Sequence, residues 1–386
     1  MELLQVSSIK DKLLELEGYF PEFKRDHDYL LNGETGMALY YFYLGRLLDE
    51  PVFTARALQL TDAVIDNVHT PGRFYGGAFS LGITGLASAL WVMKGEGFID
   101  FEEEELAALD EGIFSWAQFQ VQIHNTDYLH GAAGALYYFI LRNKAELAAV
   151  LMKAIFSGAV EDENGIRLFN RFEHNPRPED INLSLSHGLS GLLLILIEAF
   201  HKGIEPAWCR EIISKGLQYI EHLHQRFPVI NGISEYPVAY TDATDTIHGS
   251  ERLAWCYGDL NIILLMYRAS PVLEDPSLIE KATALGKLAC TRRAEQNTKI
   301  VTPFYCHGSS GTASFFEALY NISGERCYQE AYTYWKDVTI RMFTTDNVRT
   351  MSDGPFSMLD GPIGAAYFLM DVAAGKRMLW NKLFLL

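Results

Sequence analysis

Two helical patterns alternate along the chain. The first is amphipathic: in segments such as ARALQLTDAVIDNV, CREIISKGLQYIEHLHQRF and CYQEAYTYWKDVTIRMF, apolar positions recur every three or four residues, as in a helix burying one face. The second is apolar nearly all round and follows a Gly-x-x-Gly signal, at Gly33/Gly36, Gly82/Gly85, Gly131/Gly134, Gly188/Gly191, Gly308/Gly311 and Gly361/Gly364. A seventh copy begins at Gly258, with Asn261 where the second glycine would stand. Successive second positions are 49, 49, 57, 70, 50 and 53 residues apart, a unit of about fifty. Each unit predicts a helix pair. The apolar helices must be enclosed and their amphipathic partners must cover them, so seven pairs predict an all-α, α/α toroid with an inner and an outer ring of seven helices. Residues 1–386 then form a single domain with no substantial sheet, and without a polar capping repeat a closed ring is favoured over an open solenoid. Two connections exceed the period, Ser157 to Leu185 and Phe227 to Ala254. Both precede a glycine signal, which predicts long loops on one face of the ring.

Composition narrows the function classes. Forty-nine per cent hydrophobic residues support a large core and exclude disorder. A net charge of −17 repels phosphate backbones and anionic headgroups, so nucleic acid is not an expected partner. No uncharged apolar run approaches the roughly 20 residues of a membrane span, and an acidic start without a basic n-region predicts a cytoplasmic protein. Five widely spaced cysteines give no disulfide framework.

Aligning the repeats on their first glycine shows where the chemistry gathers. The position before it holds Asn32, Leu81, His130, His187, Tyr257, His307 and Asp360; the position before that holds Leu31, Ser80, Leu129, Ser186, Cys256, Cys306 and Leu359. In a closed ring, equivalent positions of adjacent repeats lie side by side, so Cys256, Cys306 and His307 should converge on one rim. Two thiolates and an imidazole form a catalytic zinc pattern with a fourth position open, which predicts one zinc per chain. Inner-helix dipoles would favour the thiolates. Asp127 and His187 fall on the same rim, a carboxylate to orient an imidazole and a histidine to shuttle a proton. Arg252 places a fixed positive charge four residues before Cys256 or pairs with neighbouring Glu251. His130 shares the column without a derivable task. Cys209, Cys290 and Cys327 read as core residues on outer helices.

Trp255-Cys256-Tyr257-Gly258 followed by Cys306-His307-Gly308, with Ser186-His187-Gly188 upstream and Asp127 before Gly131-x-x-Gly134, resembles the lantibiotic cyclases, or lanthionine synthetase C-like proteins. The resemblance covers all seven repeats. It implies an α,α-toroid, zinc on Cys256, Cys306 and His307, and a cavity lined by Asp127, His187, Arg252 and Tyr257, with His187 and Asp127 in proton transfer. The implied reaction adds a peptide cysteine thiol across dehydroalanine or dehydrobutyrine, closing a lanthionine or methyllanthionine ring. The implied substrate is a dehydrated precursor peptide, with a dehydratase and a peptide exporter as candidate partners. Adding a free thiol such as glutathione, or binding peptides without catalysis, are the alternatives within this family. A zinc prenyltransferase would need an aspartate ligand and a partner subunit. A toroidal glycosidase would need two cavity carboxylates, such as Asp127 and Asp360, and leaves the cysteines unexplained.

Overall fold

The apolar, glycine-led segments form seven helices: Glu34–Leu48, Ile83–Gly95, Ala132–Leu141, Leu189–His201, Asp259–Leu273, Ser309–Ser323 and Pro362–Ala374. In the computed structural model, which describes residues 2–20, 26–171, 180–227, 234–352 and 354–386, each packs against the next. The seventh returns to the first, where the Tyr367 hydroxyl donates to the Gly36 carbonyl at 2.9 Å. This is the inner ring. Every residue of Ala132–Leu141 is buried, as a helix apolar on all sides requires. Each buried Leu, Ile or Phe there contributes about 2 kcal/mol.

The amphipathic segments form the outer ring: Glu2–Glu17, Pro51–Asp66, Ala107–Gln122, Ala145–Phe156, Pro206–Arg226, Ser277–Thr291 and Arg326–Met342. Arg326–Met342 buries Tyr328, Ala331, Trp335 and Thr339, spaced by three, four and four residues on one face. The first outer helix, Glu2–Glu17, covers the seventh inner helix, so the two ends of the chain together complete the last pair. Its Lys12 ammonium donates to the Phe343 carbonyl at 2.8 Å.

The glycine signal has a steric cause. At Gly36, Gly85, Gly134, Gly191, Gly311 and Gly364, an added Cβ would collide with the carbonyl oxygen six residues earlier, where the rim turn folds back onto the helix start. Asn261 solves the same problem differently. Its side-chain amide donates to the Trp255 carbonyl, six residues earlier, at 2.9 Å, and its Oδ1 accepts from Leu185 N at 3.0 Å. The departure from glycine therefore braces the turn that carries Cys256 and ties it to the preceding repeat.

The two long connections carry structure that the sequence pattern did not show. In the first, Val160–Asp162 pairs antiparallel with Gly165–Arg167. Asp180–Asn182 from the same connection pairs with Ala239–Thr241 from the second, which pairs in turn with Thr246–His248. A shared sheet puts both insertions on one face, as expected, but they are not plain loops. Residues 172–179 and 228–233 of these connections lie outside the described set.

The C-terminal 3₁₀ segment Leu379–Phe384 fills the bore of the ring, where Trp380, Leu383 and Phe384 are fully buried. Its backbone carbonyls are taken up by the third and fifth repeats. Lys382 O accepts from Tyr137, Leu383 O from Tyr128 and Phe384 O from the Trp255 indole, at 2.7 to 2.9 Å. Asp371 anchors it by accepting from the Trp380 indole at 2.9 Å, Asn381 Nδ2 at 2.6 Å and Met378 N at 3.1 Å. Asp371→Ala leaves those three buried donors without their acceptor, a loss of about 3 kcal/mol or more. Thermal unfolding followed by circular dichroism should show Tm falling by roughly 5 °C or more; an unchanged Tm would contradict the anchoring role.

Candidate active site

A belt of backbone hydrogen bonds links the turns that precede the inner helices. Leu31 N donates to Ser80 O and Ser80 N to Leu129 O; Ser186 N donates to Cys256 O, Trp255 N to Cys306 O, and Cys306 N to Leu359 O, with Met358 N returning to Leu31 O. These residues occupy the two aligned columns just before the motif or their immediate neighbour, so the belt holds equivalent positions of successive repeats side by side. Between the third and fourth repeats the link is made by side chains instead. His187 Nδ1 meets Asp127 Oδ2 at 2.7 Å, and Asn170 Nδ2 donates both to Asp127 Oδ2 at 3.0 Å and to the His187 carbonyl at 2.9 Å.

Cys256, Cys306 and His307 converge as the repeat alignment predicted. Their ligand atoms all lie within 4.8 Å of one another, and Cys306 Sγ is 3.5 Å from His307 Nε2. A tetrahedral zinc with bonds of about 2.0 to 2.3 Å separates its ligands by roughly 3.3 to 3.8 Å, so the donor set could hold a metal after only small movements. Both cysteines precede inner-helix N-termini, whose dipoles favour anions. The pair is electrostatically coupled. Burial raises the Cys256 pKa, but the Cys306 thiol and His307 outweigh it and hold Cys256 below the usual thiol range. Cys306, donor to Cys256 and buried, is pushed up. One bound cation would relieve this competition by favouring both thiolates.

Asp360 is the residue that sequence reading undervalued. Its Oδ1 lies 3.2 Å from His307 Nδ1, which fixes the ring so that Nε2 faces the sulfurs. Burial lowers the His307 pKa, but Asp360 and Cys256 outweigh it and raise the value to about 9. Asp360 belongs to the same column as His307, one repeat on, and ring closure makes them neighbours; that column was the signal. A carboxylate behind a ligand histidine typically governs metal affinity by 10- to 100-fold. Asp360→Asn should therefore weaken zinc binding by about that factor in a competition titration against a chelator, and unchanged affinity would remove it from the support of the site.

Asp127 is buried and also accepts from Leu129 N and His130 N at 2.8 Å each. Burial acts to raise its pKa, yet the neighbouring His187 and His130 and these donors keep it below the usual range. For His187 burial acts downward, while Asp127 and then Cys256 raise it above the ordinary histidine value. Asp127 engages the ring through Nδ1, not Nε2. His130 gains a place here: its ring stacks on His187 at 5.9 Å, and Ser80 Oγ lies 3.0 Å from its Nδ1.

Tyr257 packs edge-on to His307 at 5.8 Å, and the buried environment and the Cys256 charge push its hydroxyl up to about 12. Arg252 lines a 130 Å³ cavity with His307 and Asp360, and its charge reaches Cys306 and Tyr257. It does not pair with Glu251, which is held by Lys299 at 2.6 Å. The other three cysteines lie away from this rim. Cys209 is buried, its thiol pushed up to about 12 by burial, and bonds Ile204 O at 3.4 Å. Cys290 and Cys327 are not isolated, contrary to expectation: they meet between adjacent outer helices, where burial and then Cys327 push the Cys290 thiol up.

A closed double ring of helix pairs with a thiolate–imidazole cluster on one rim defines the class. The chain belongs to the lanthionine synthetase C-like protein family, whose model matches residues 26–385. Among solved structures, nisin cyclase superposes with a TM-score of 0.77 over 97% of this chain and 96% of that one, at 17% identity, which establishes the shared α/α-toroid fold. Among sequences, the chain is 23% identical to glutathione S-transferase LANCL1 of Danio rerio over 362 residues, covering 89% of this chain and 82% of that protein. It is 25% identical to nisin biosynthesis protein NisC of Lactococcus lactis subsp. lactis over 230 residues, covering 53% and 52%. Among the described residues no helix is long and apolar enough to cross a membrane.

Proposed function

We propose that this protein is a zinc-dependent lanthionine synthetase, a carbon–sulfur bond-forming enzyme that joins peptide cysteines to dehydroalanine or dehydrobutyrine in a ribosomally made peptide. The observation that carries the reading is the placing of a metal-competent Cys256, Cys306 and His307 cluster on one rim with the Asp127–His187 pair. Zinc held by the three ligands would make an incoming thiol, with an ordinary pKa of about 8.5, a thiolate at neutral pH. The residues of the chain then divide the remaining work. As the sulfur bonds to the β-carbon, the double-bond electrons move toward the α-carbon and its carbonyl oxygen, where Arg252 supplies compensating positive charge. His187, kept protonated by Asp127, delivers a proton to the α-carbon. Tyr257 packs beside the metal-site histidine and shapes the pocket wall.

The substrate must already carry dehydroamino acids, so a dehydratase acts before this protein, and a peptide exporter is a candidate partner after it. A second reading is addition of a free thiol such as glutathione, favoured by the long match to LANCL1. One assay separates them. A synthetic peptide carrying a dehydroalanine, with and without an internal cysteine, is incubated with zinc-loaded protein and with or without glutathione. Cyclisation leaves the mass unchanged and protects the cysteine from alkylation, whereas thiol addition produces a glutathione adduct on the cysteine-free peptide. Adducts without ring closure would overturn the cyclase reading.

A further inference from the structure

Three cavities follow one another along the outer helix Ala107–Gln122, the first of them also lined by the outer helix Pro51–Asp66. The chamber furthest from the rim, 590 Å³, shares Val68, His69, Ala108 and Leu109 with a middle one of 430 Å³. That one shares Gly76 and Trp116 with a third of 500 Å³, which is bordered by His130 and Arg171. His130 in turn stacks on His187. A series of adjoining cavities, a groove along this helix, therefore leads from the outer wall to His130, the ring neighbour of the candidate proton donor.

Its surface is apolar where an outer wall should be polar. Leu58 and Ile65 at the far end and Tyr75 and Ile123 at the near end are 42, 46, 55 and 45% exposed. Trp116 lies across Gly76 and Gly77, where a Cβ would strike its ring. Gly112, inside the helix Ala107–Gln122, also lines the middle chamber, and a Cβ there would meet nothing within 4 Å. A mid-helix glycine weakens a helix relative to alanine, and this one keeps the groove open. Charge differs between the ends. Asp62, Asp100 and Glu105 border the far chamber, where Lys94 offsets Asp100 from 3.8 Å and leaves Asp62 and Glu105, while Arg171 and His130 border the near one.

We propose that this groove binds a segment of the substrate peptide that flanks the reacting residues, extended, apolar along its middle and carrying a basic residue at the far end. The proposal rests on the cyclase reading for the identity of the peptide, and the approach to His130, the ring neighbour of His187, commits the groove to that same chain. Binding here would hold the reacting residues at the rim while successive rings close, because the flank stays bound when the ring-forming segment moves. Apolar burial supplies the affinity and the acidic end sets the direction.

The test uses zinc-loaded protein and fluorescein-labelled synthetic peptides with one dehydroalanine and serine in place of cysteine, so that nothing turns over. One pair carries an apolar flank of about eight residues ending in lysine, before or after the dehydroalanine; that length spans roughly 26 Å when extended. A control replaces the flank with glycine and serine. Fluorescence anisotropy should show at least one flanked peptide binding wild type about 10-fold tighter or more than the control. Gly112→Leu should erase that gain with Tm unchanged or raised, since leucine is the better helix former, and Ile65→Asp should erase it independently. No gain in wild type, or a gain that survives both substitutions, overturns the proposal. So does self-association in sedimentation that Gly112→Leu disperses while the flank has no effect, which would assign the groove to a second copy of this chain. If the flank binds as described but the cysteine-containing peptide is never cyclised, the groove stands and the cyclase reading fails.

Discussion

Cys256→Ala protein is expected to purify with near-zero zinc, against an expected one per chain in wild type, and to lose thioether formation by about 10³-fold or more. The size follows from the role assigned to the metal: several kcal/mol of activation lost from an incoming thiol, with about 4 kcal/mol equal to three decades of rate. The protein should nonetheless keep its helical circular dichroism. Its core is two closed rings of helices, and the substitution removes one sulfur from a rim turn whose backbone remains tied by Trp255 N to Cys306 O and by Asn261 to the Trp255 carbonyl. Chelation of wild type should give the same result, activity lost and helices retained, unlike small domains that fold only around their metal. Elemental analysis checks both halves. Full zinc occupancy in Cys256→Ala would remove it from the ligand set, and global unfolding on chelation would contradict a fold that stands without metal.

The repeat pattern carried more of the site than any single motif, because a ring converts positions in an alignment into positions in space. Cys256 and Cys306 are fifty residues apart in sequence, yet lie in one column and meet; His307 and Asp360 lie 3.2 Å apart for the same reason. The Asp127–His187 contact was not readable in this way, since Asp127 belongs to neither column and Asn170, which bonds both residues, comes from the first long connection. The C-terminal plug also escaped notice. A 3₁₀ segment has no amphipathic period to read, and the C-terminal stretch is held by tyrosine, tryptophan and arginine donors of the third and fifth repeats rather than by a pattern of its own. The strands of the insertions are three residues long, too short for alternation to register. Cys290 and Cys327 met because adjacent outer helices touch as inner ones do, a consequence of the ring drawn for the rim and not for the wall.

His187→Asn is expected to keep zinc and peptide binding while slowing ring closure by roughly 10²-fold or more, the usual scale for a general acid or base. Asparagine can still reach the Asp127 carboxylate but carries no proton that it can give up. Asp127→Asn should slow the reaction similarly and also reveal its cause through pH. In wild type, Asp127 holds the His187 pKa above the ordinary 6.5, so a reaction that needs the imidazolium should stay active as pH rises past that value and decline only on passing the raised pKa. Replacing the carboxylate by a neutral amide removes the group that offsets the burial of His187. The imidazolium is then lost at lower pH, and the alkaline limb of the kcat profile should move toward acid, a displacement that a merely structural defect at Asp127 would not produce. Zinc content measured on each variant excludes a loosened metal as the reason for slow turnover. A His187→Asn enzyme that cyclises at near wild-type rate with its zinc intact would transfer the role elsewhere, and His130, stacked on His187 with its Nδ1 3.0 Å from Ser80, would be the next residue to substitute.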